Sequence, residues 1–133
     1  MNCTVAGKVV ELCLTPNENR VTYRFGPAEA PEIELTRDFD AITMQPWSGI
    51  GRGIWDMVEI PNGDFIYELH WNADKIDRTV VGGVNVRRGE AVLASVSCDA
   101  GGYFDFDTLI FAMQDAGFCR SDTVDPLSKG SCE

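Results

Sequence analysis

The sequence predicts a mainly β domain: an antiparallel meander of six to eight strands, closed as a small barrel or sandwich, with one C-terminal helix. Three observations lead there. Apolar and polar residues alternate with period two through most of the first hundred positions, as half-buried strands require. Turn-forming segments separate the alternating runs at hairpin spacing. A single stretch near the end has helical spacing instead. With 133 residues there is chain enough for one core, so the expected organisation is a single domain, 1–133. It divides into a β meander over 1–100, a helix over 103–117 and a disulfide-tethered tail over 120–133.

The elements follow in order. Val10, Leu12 and Leu14 alternate with Glu11 and Cys13, and Val21, Tyr23 and Phe25 alternate with Arg20, Thr22 and Arg24. Pro16-Asn17-Glu18-Asn19 between them is a turn. Trp55 to Ile60 and Asp64 to Trp71 flank Pro61-Asn62-Gly63, with Phe65, Tyr67, Leu69 and Trp71 on one apolar face. Thr79 to Val86 and Ala91 to Cys98 flank Arg87-Arg88-Gly89-Glu90 as a second hairpin. The six prolines are read as lying in loops or at element ends, because proline cannot donate to a ladder. In the helix, Asp105 accepts from first-turn amides, Phe104 and Leu109 form the staple, and Gly117 supplies the left-handed stop.

Charge narrows the function classes. Asp and Glu number 21 against 11 Lys and Arg, a formal net charge of −10, which repels nucleic acid and anionic membrane surfaces at range and favours a basic protein partner. The longest uninterrupted apolar run, Leu109 to Met113, falls far short of the roughly 20 residues of a membrane-spanning helix. Five cysteines, at 3, 13, 98, 119 and 132, show no zinc-ligand spacing and are read as disulfides of an exported chain, periplasmic or secreted, whose leader has been removed. Cys119 pairs with Cys132 across a closable loop, and Cys13 with Cys98. Cys3 is then left free or lipid-bearing, as in a lipoprotein.

Candidate chemistry is sparse. His70, the single histidine, falls on the polar face of a strand, where a solvent-facing imidazole is the plainer reading than the base of a triad. Asp56, Glu59, Asp64 and Glu68 lie across one hairpin, where two carboxylates could work as acid and base, but any acidic sheet surface carries such pairs. Asp99, Asp105 and Asp107 supply hard oxygen ligands without the spacing of a calcium loop, and a turn and a helix cap account for them. No cofactor and no metal is expected, and the chain is read as non-enzymatic. The glycosylation sequon Asn2-Cys3-Thr4 is a weak pattern.

The most informative segment is Pro46-Trp47-Ser48-Gly49-Ile50-Gly51-Arg52-Gly53. Its glycine spacing misses the dinucleotide fingerprint, and no Lys-Ser or Lys-Thr follows to make a phosphate cradle. Gly49, Gly51 and Gly53 let backbone enter a narrow space. Trp47 offers an aromatic anchor, Ser48 a hydroxyl and Arg52 a fork of donors, so Trp47, Ser48, Gly49, Gly51 and Arg52 form the expected partner-binding set. The competing reading is a connector whose glycines only make turns.

Tyr23-Arg24-Phe25-Gly26, Pro46-Trp47-Ser48-Gly49, Pro61-Asn62-Gly63-Asp64-Phe65, Gly83-Val84-Asn85-Val86 and the run from Leu93 to Asp99 resemble a group of small exported bacterial β-proteins of unassigned function. More distantly, a cysteine-stabilised β fold with a Ser-Gly loop is similar to the periplasmic inhibitors of C-type lysozyme. In that family a serine-bearing loop enters the enzyme cleft and engages its catalytic carboxylates. The resemblance implies that role for Ser48 and Gly49, with Arg52 beside them. The family's second motif, bearing tyrosine and lysine, is not placed in this sequence. The resulting expectation is an exported binding protein of inhibitor or immunity type, blocking a basic cell-wall hydrolase or toxin. The alternatives are a structural component of a bacterial envelope or secreted assembly, with a sheet edge or Trp55, Phe65, Tyr67 and Trp71 as its contact surface, and a carboxylate-based acid–base enzyme.

Overall fold

In the computed structural model, which describes residues 1–130 and 132, the alternation becomes two antiparallel sheets that share one core. The first contains β1 (Asn2–Val5), β2 (Lys8–Thr15), β3 (Arg20–Gly26) and β4 (Ile33–Asp38), neighbouring in chain order. The second contains β5 (Thr43–Gln45), β6 (Gly53–Asn62), β7 (Phe65–Asp74), β8 (Val80–Arg88) and β9 (Ala91–Ser97), again in chain order. Helix α1 (Asp107–Asp115) follows, then a small ladder of β10 (Phe118–Cys119) and β11 (Ser128–Lys129). The described residues thus form eleven strands in three antiparallel sheets, more than six to eight. No ladder among them joins the two large sheets, so the arrangement is sandwich-like and not a closed barrel.

Register explains the core. Val10 stands opposite Phe25, Leu12 opposite Tyr23 and Leu14 opposite Val21, so the apolar set of both strands shares one face. In the second sheet Val58, Leu69 and Val84 form one cross-strand row, and Ile60, Tyr67 and Val86 the next. The inner faces meet through Tyr23 and Tyr67, ring centroids 5.3 Å apart. Leu109, Ile110 and Met113 bring α1 into the same core. Asp105 accepts from the Thr108 amide at 3.2 Å and the Thr108 hydroxyl at 2.6 Å, and Gly117 ends the helical segment at φ +95°, which a side chain would disfavour.

Two expectations are corrected. Pro61 lies inside β6, not in a turn, and the hairpin turns at Gly63-Asp64. β5 is short, and its pairing with β6 stops at Thr43 and Glu59, so the missing amide of Pro61 leaves no ladder bond unmade on that side. The Pro61 carbonyl accepts from Arg37 Nε at 3.0 Å, tying the two sheets together.

The cysteines are the second correction. Cys119 bonds Cys132 as expected, but Cys98 bonds Cys3, with Cα atoms 5.7 Å apart, and Cys13 is the free thiol. The cause is pleat parity. Cys3 pairs with Val10 on the inner face and is buried, whereas Cys13 pairs with Thr22 on the outer face. The Asp99 amide donates to the Thr4 carbonyl at 2.8 Å, which carries the end of β9 to the edge of β1 beside Cys3. The Cys3 sulfur, expected free or lipidated, is spent in this bond. Two disulfides fit an exported chain, and among the described residues no helix is long and apolar enough to cross a membrane.

Candidate functional site

The loop 46–53 leaves β5 and returns into β6, and both of its limbs are held. On the incoming limb the Trp47 amide donates to Asp56 Oδ1 at 2.9 Å. Arg120, far along the chain, donates to the Trp47 carbonyl at 2.8 Å, the Pro46 carbonyl at 3.1 Å and the Thr123 carbonyl at 2.6 Å. The Trp47 indole N–H donates to the Ile50 carbonyl at 3.0 Å and so closes the loop on itself. On the outgoing limb Arg52 Nε reaches both oxygens of Asp74, at 3.1 and 2.9 Å, and Nη2 reaches Asp77 at 3.0 Å. The Lys75 amide donates to the Arg52 carbonyl, and the Lys75 ammonium lies 4.5 Å from the centre of the Trp47 ring.

What these bonds leave outside is the tip. Gly49 at φ +91° and Gly51 at φ +110° take left-handed backbone with open space around them, so glycine is needed there for conformation and not for clearance. Between them Ile50 is 77% exposed. Ile76, on the adjoining turn that Asp74 nucleates by accepting from the Ile76 and Asp77 amides, is 70% exposed. The donors at Asp77 and then Arg52 hold the Asp74 carboxyl below its ordinary range. Of the expected set, Trp47 and Ser48 are half-buried, Gly49, Gly51 and Arg52 are exposed, and the Arg52 guanidinium braces the loop from within. Ile50, Asp56, Lys75 and Arg120 complete the construction. Only Asp56 carried a signal, standing in the apolar register of Ile54, Val58 and Ile60.

At the foot of the loop a cleft of about 410 Å³ opens between α1 and the inner face of β6 and β7. Trp47, Ile54 and Trp71 line its sheet side; Asp107, Ile110 and Gln114 line its helix side. Asp56, 5% exposed, accepts from the Trp71 indole N–H at 2.8 Å as well as from Trp47. A buried carboxylate is stabilised by two such donors, yet burial outweighs them and pushes its pKa up, with Asp107 adding in the same direction.

The other candidates separate. Glu59 and Glu68 stand opposite each other on the outer face of the second sheet, and both are ion-paired with Arg87. Asp56 points inward, and Asp64 lies in the turn, 3.6 Å from Arg88. The four carboxylates therefore do not converge. His70 lies on the outer face opposite Gly83, its pKa lowered by burial. Asp99 accepts from the Thr4 hydroxyl at 3.2 Å, Asp105 caps α1 and Asp107 borders the cleft. Among the described residues, no group of three His, Cys, Asp or Glu side chains is placed to hold a metal ion. Trp71 and Tyr67 face inward and Trp55 outward, so the aromatics do not form one exposed surface. No protein-family model matches this chain, and neither a curated protein nor a solved structure matches it.

Proposed function

We propose that this protein is an exported, non-enzymatic binding module, periplasmic or secreted, which blocks a basic cell-wall hydrolase of lysozyme type or a basic toxin through its 46–53 loop. One observation carries the reading: a loop pinned at both limbs by buried and ion-paired groups while holding an aliphatic tip, Ile50, 77% exposed in solvent. Covering an exposed aliphatic side chain such as Ile50 is favourable in proportion to the apolar area a partner removes from water, and a loop already fixed loses little entropy on binding. Ser48 and Gly49 adjoin the tip, and Arg52 holds it from below. The net charge of −10 steers a basic partner toward the domain, with association slowing as salt rises.

The test is a panel of lysozymes assayed for lysis and for complex formation at low and high salt, with wild type and Ile50→Asp. Inhibition by wild type, weakened at least tenfold by the substitution at unchanged stability, supports the reading. Full lysis and no complex with every member removes the hydrolase version, and unchanged affinity of Ile50→Asp clears the loop of a role.

A second reading, a structural component of an envelope or secreted assembly, is favoured by β9. Its residues Ala91–Ser97 form an edge without a single charge, and Val92 and Leu93 are more than half exposed. The other edges of the two large sheets are guarded: β1, also uncharged, is four residues long and bonded to Asp99 and Tyr103, β4 carries Glu34, Arg37 and Asp38, and β5 is three residues long. Concentration-dependent self-association abolished by Val92→Lys would favour this reading over the first.

A further inference from the structure

The cleft at the foot of the loop shares Trp47, Asp56 and Arg120 with the bracing of the loop, but its own chemistry is distinct. Both indole N–H groups beside it are already spent, Trp47 on the Ile50 carbonyl and Trp71 on Asp56. The two rings therefore contribute only their apolar π-surfaces to the cleft. Across from them, on α1, the side chains of Asp107 and Gln114 border the opening without a hydrogen-bond partner among the described residues. One is an acceptor, and the other is both donor and acceptor. Arg120 closes the cleft with a guanidinium of which three N–H groups hold main-chain carbonyls. Of its five N–H donors, two are left over.

Charge decides what such a cleft can take. A cation would find Asp56 already holding two donors and the Arg120 guanidinium in the same cleft as Asp107, with the Lys75 ammonium already seated over the Trp47 ring. An anion would meet Asp56 and Asp107. A purely apolar ligand would strip water from Asp107, Gln114 and the two spare Arg120 donors, leaving them unpaired at a cost. A neutral molecule with C–H faces and many hydroxyls meets none of these penalties. Each hydroxyl both donates and accepts, so it can satisfy Asp107, Gln114 and the spare Arg120 donors, while the C–H face packs on indole. A volume of about 410 Å³ lies in the range of small-molecule sites. Asp56 and Arg120 further hold the two tryptophans in place before any ligand arrives, as preorganised binding sites require.

We propose that the cleft between α1 and the β6–β7 hairpin is a binding site for a neutral saccharide. The experiment titrates the intact, disulfide-bonded chain with chitotriose, cellotriose and maltotriose, followed by amide and indole NMR shifts. Arginine and inorganic phosphate at the same concentrations are the charged probes. The expected result is that at least one trisaccharide shifts the Trp71 indole and the amides of residues 107–114, while arginine and phosphate do not. Asp107→Ala and Gln114→Ala, exposed on α1 and so compatible with folding, each weaken that binding about tenfold. Ile50→Asp leaves it unchanged, which separates this site from the loop. The proposal is overturned if no trisaccharide moves those resonances, if arginine or phosphate moves them equally, or if both helix variants, giving native spectra, bind as wild type does.

Discussion

Removing the Cys3–Cys98 bond should destabilise this domain more than removing Cys119–Cys132, and loop length sets by how much. The first bond closes a separation of 95 residues and the second one of 13. In the chain-entropy treatment these correspond to about 4.7 and ~3 kcal/mol respectively. At about 4 °C per kcal/mol for a domain of this size, the Cys3→Ala/Cys98→Ala pair should lower Tm by roughly 19 °C and the Cys119→Ala/Cys132→Ala pair by roughly 12 °C. Double substitutions create no new orphan thiol, and Cys13 stays as free in them as in wild type. Cys3 is also buried at 3% exposure, so losing its sulfur leaves a void that adds to the first figure. Urea unfolding followed by far-ultraviolet circular dichroism and by tryptophan fluorescence gives both free energies and tests two-state behaviour. The single Cys13→Ser change should stay within about 0.5 kcal/mol of wild type. The reasoning fails if the 119–132 pair costs as much as the 3–98 pair, or if Cys13→Ser costs as much as a lost cross-link.

Three further outcomes are expected. In the native protein one thiol, Cys13, should react with a thiol reagent, and five after reduction and denaturation. Its reaction should be slow at neutral pH, since burial and then Glu11 raise its pKa; two fast native thiols would contradict the pairing. Burial raises the Asp56 pKa, so the native state binds more protons than the unfolded state, and wild-type stability falls as pH rises from the unfolded value near 4 through the raised folded value. The stability difference between wild type and Asp56→Asn should therefore favour wild type most in acid and least at neutral pH, as read from urea midpoints; the opposite slope would show that its two donors outweigh burial. Finally, a Cβ at Gly83 would clash with the Val96 carbonyl, whereas one at Gly63 meets nothing. Gly83→Ala should cost about 3 kcal/mol by overpacking and Gly63→Ala ~1 kcal/mol by its positive φ alone, and equal costs would mean that β8 and β9 can separate freely.

Much of the sheet structure is legible in the sequence because alternation over seven or more residues reports a half-buried strand directly. β2, β3, β6 and β7 announce themselves this way, and β8 and β9 through the Arg87-Arg88-Gly89-Glu90 turn between them. β5 has three residues, too few for a period, and β1 is held by long-range bonds, from the Asp99 amide to Thr4 and between Asn2 and Tyr103, that no local pattern encodes. The cysteine pairing held its own clue. Cys13 stands between Leu12 and Leu14, so the alternation that places those leucines inside places it outside. The loop was visible through its glycines, but its rigidity comes from Arg120, Asp74 and Asp77, whose approach depends on the tertiary fold. Asp56 was half-legible: a carboxylate in an apolar register signals an inward charge, while its donors, one on the loop and one across the hairpin, are set by topology.

The Cys3–Cys98 bond has a mechanical consequence. It makes a covalent ring of the segment containing both large sheets, so a pull on the two ends of the chain bypasses that ring. With the 119–132 bond also intact, 132 − 95 − 13 = 24 residue steps remain to extend, about 85 Å at full stretch against roughly 460 Å for the reduced chain. A cut by a protease in any loop between β1 and β9 would likewise leave a single covalently joined molecule, its halves still held in register by nine strands.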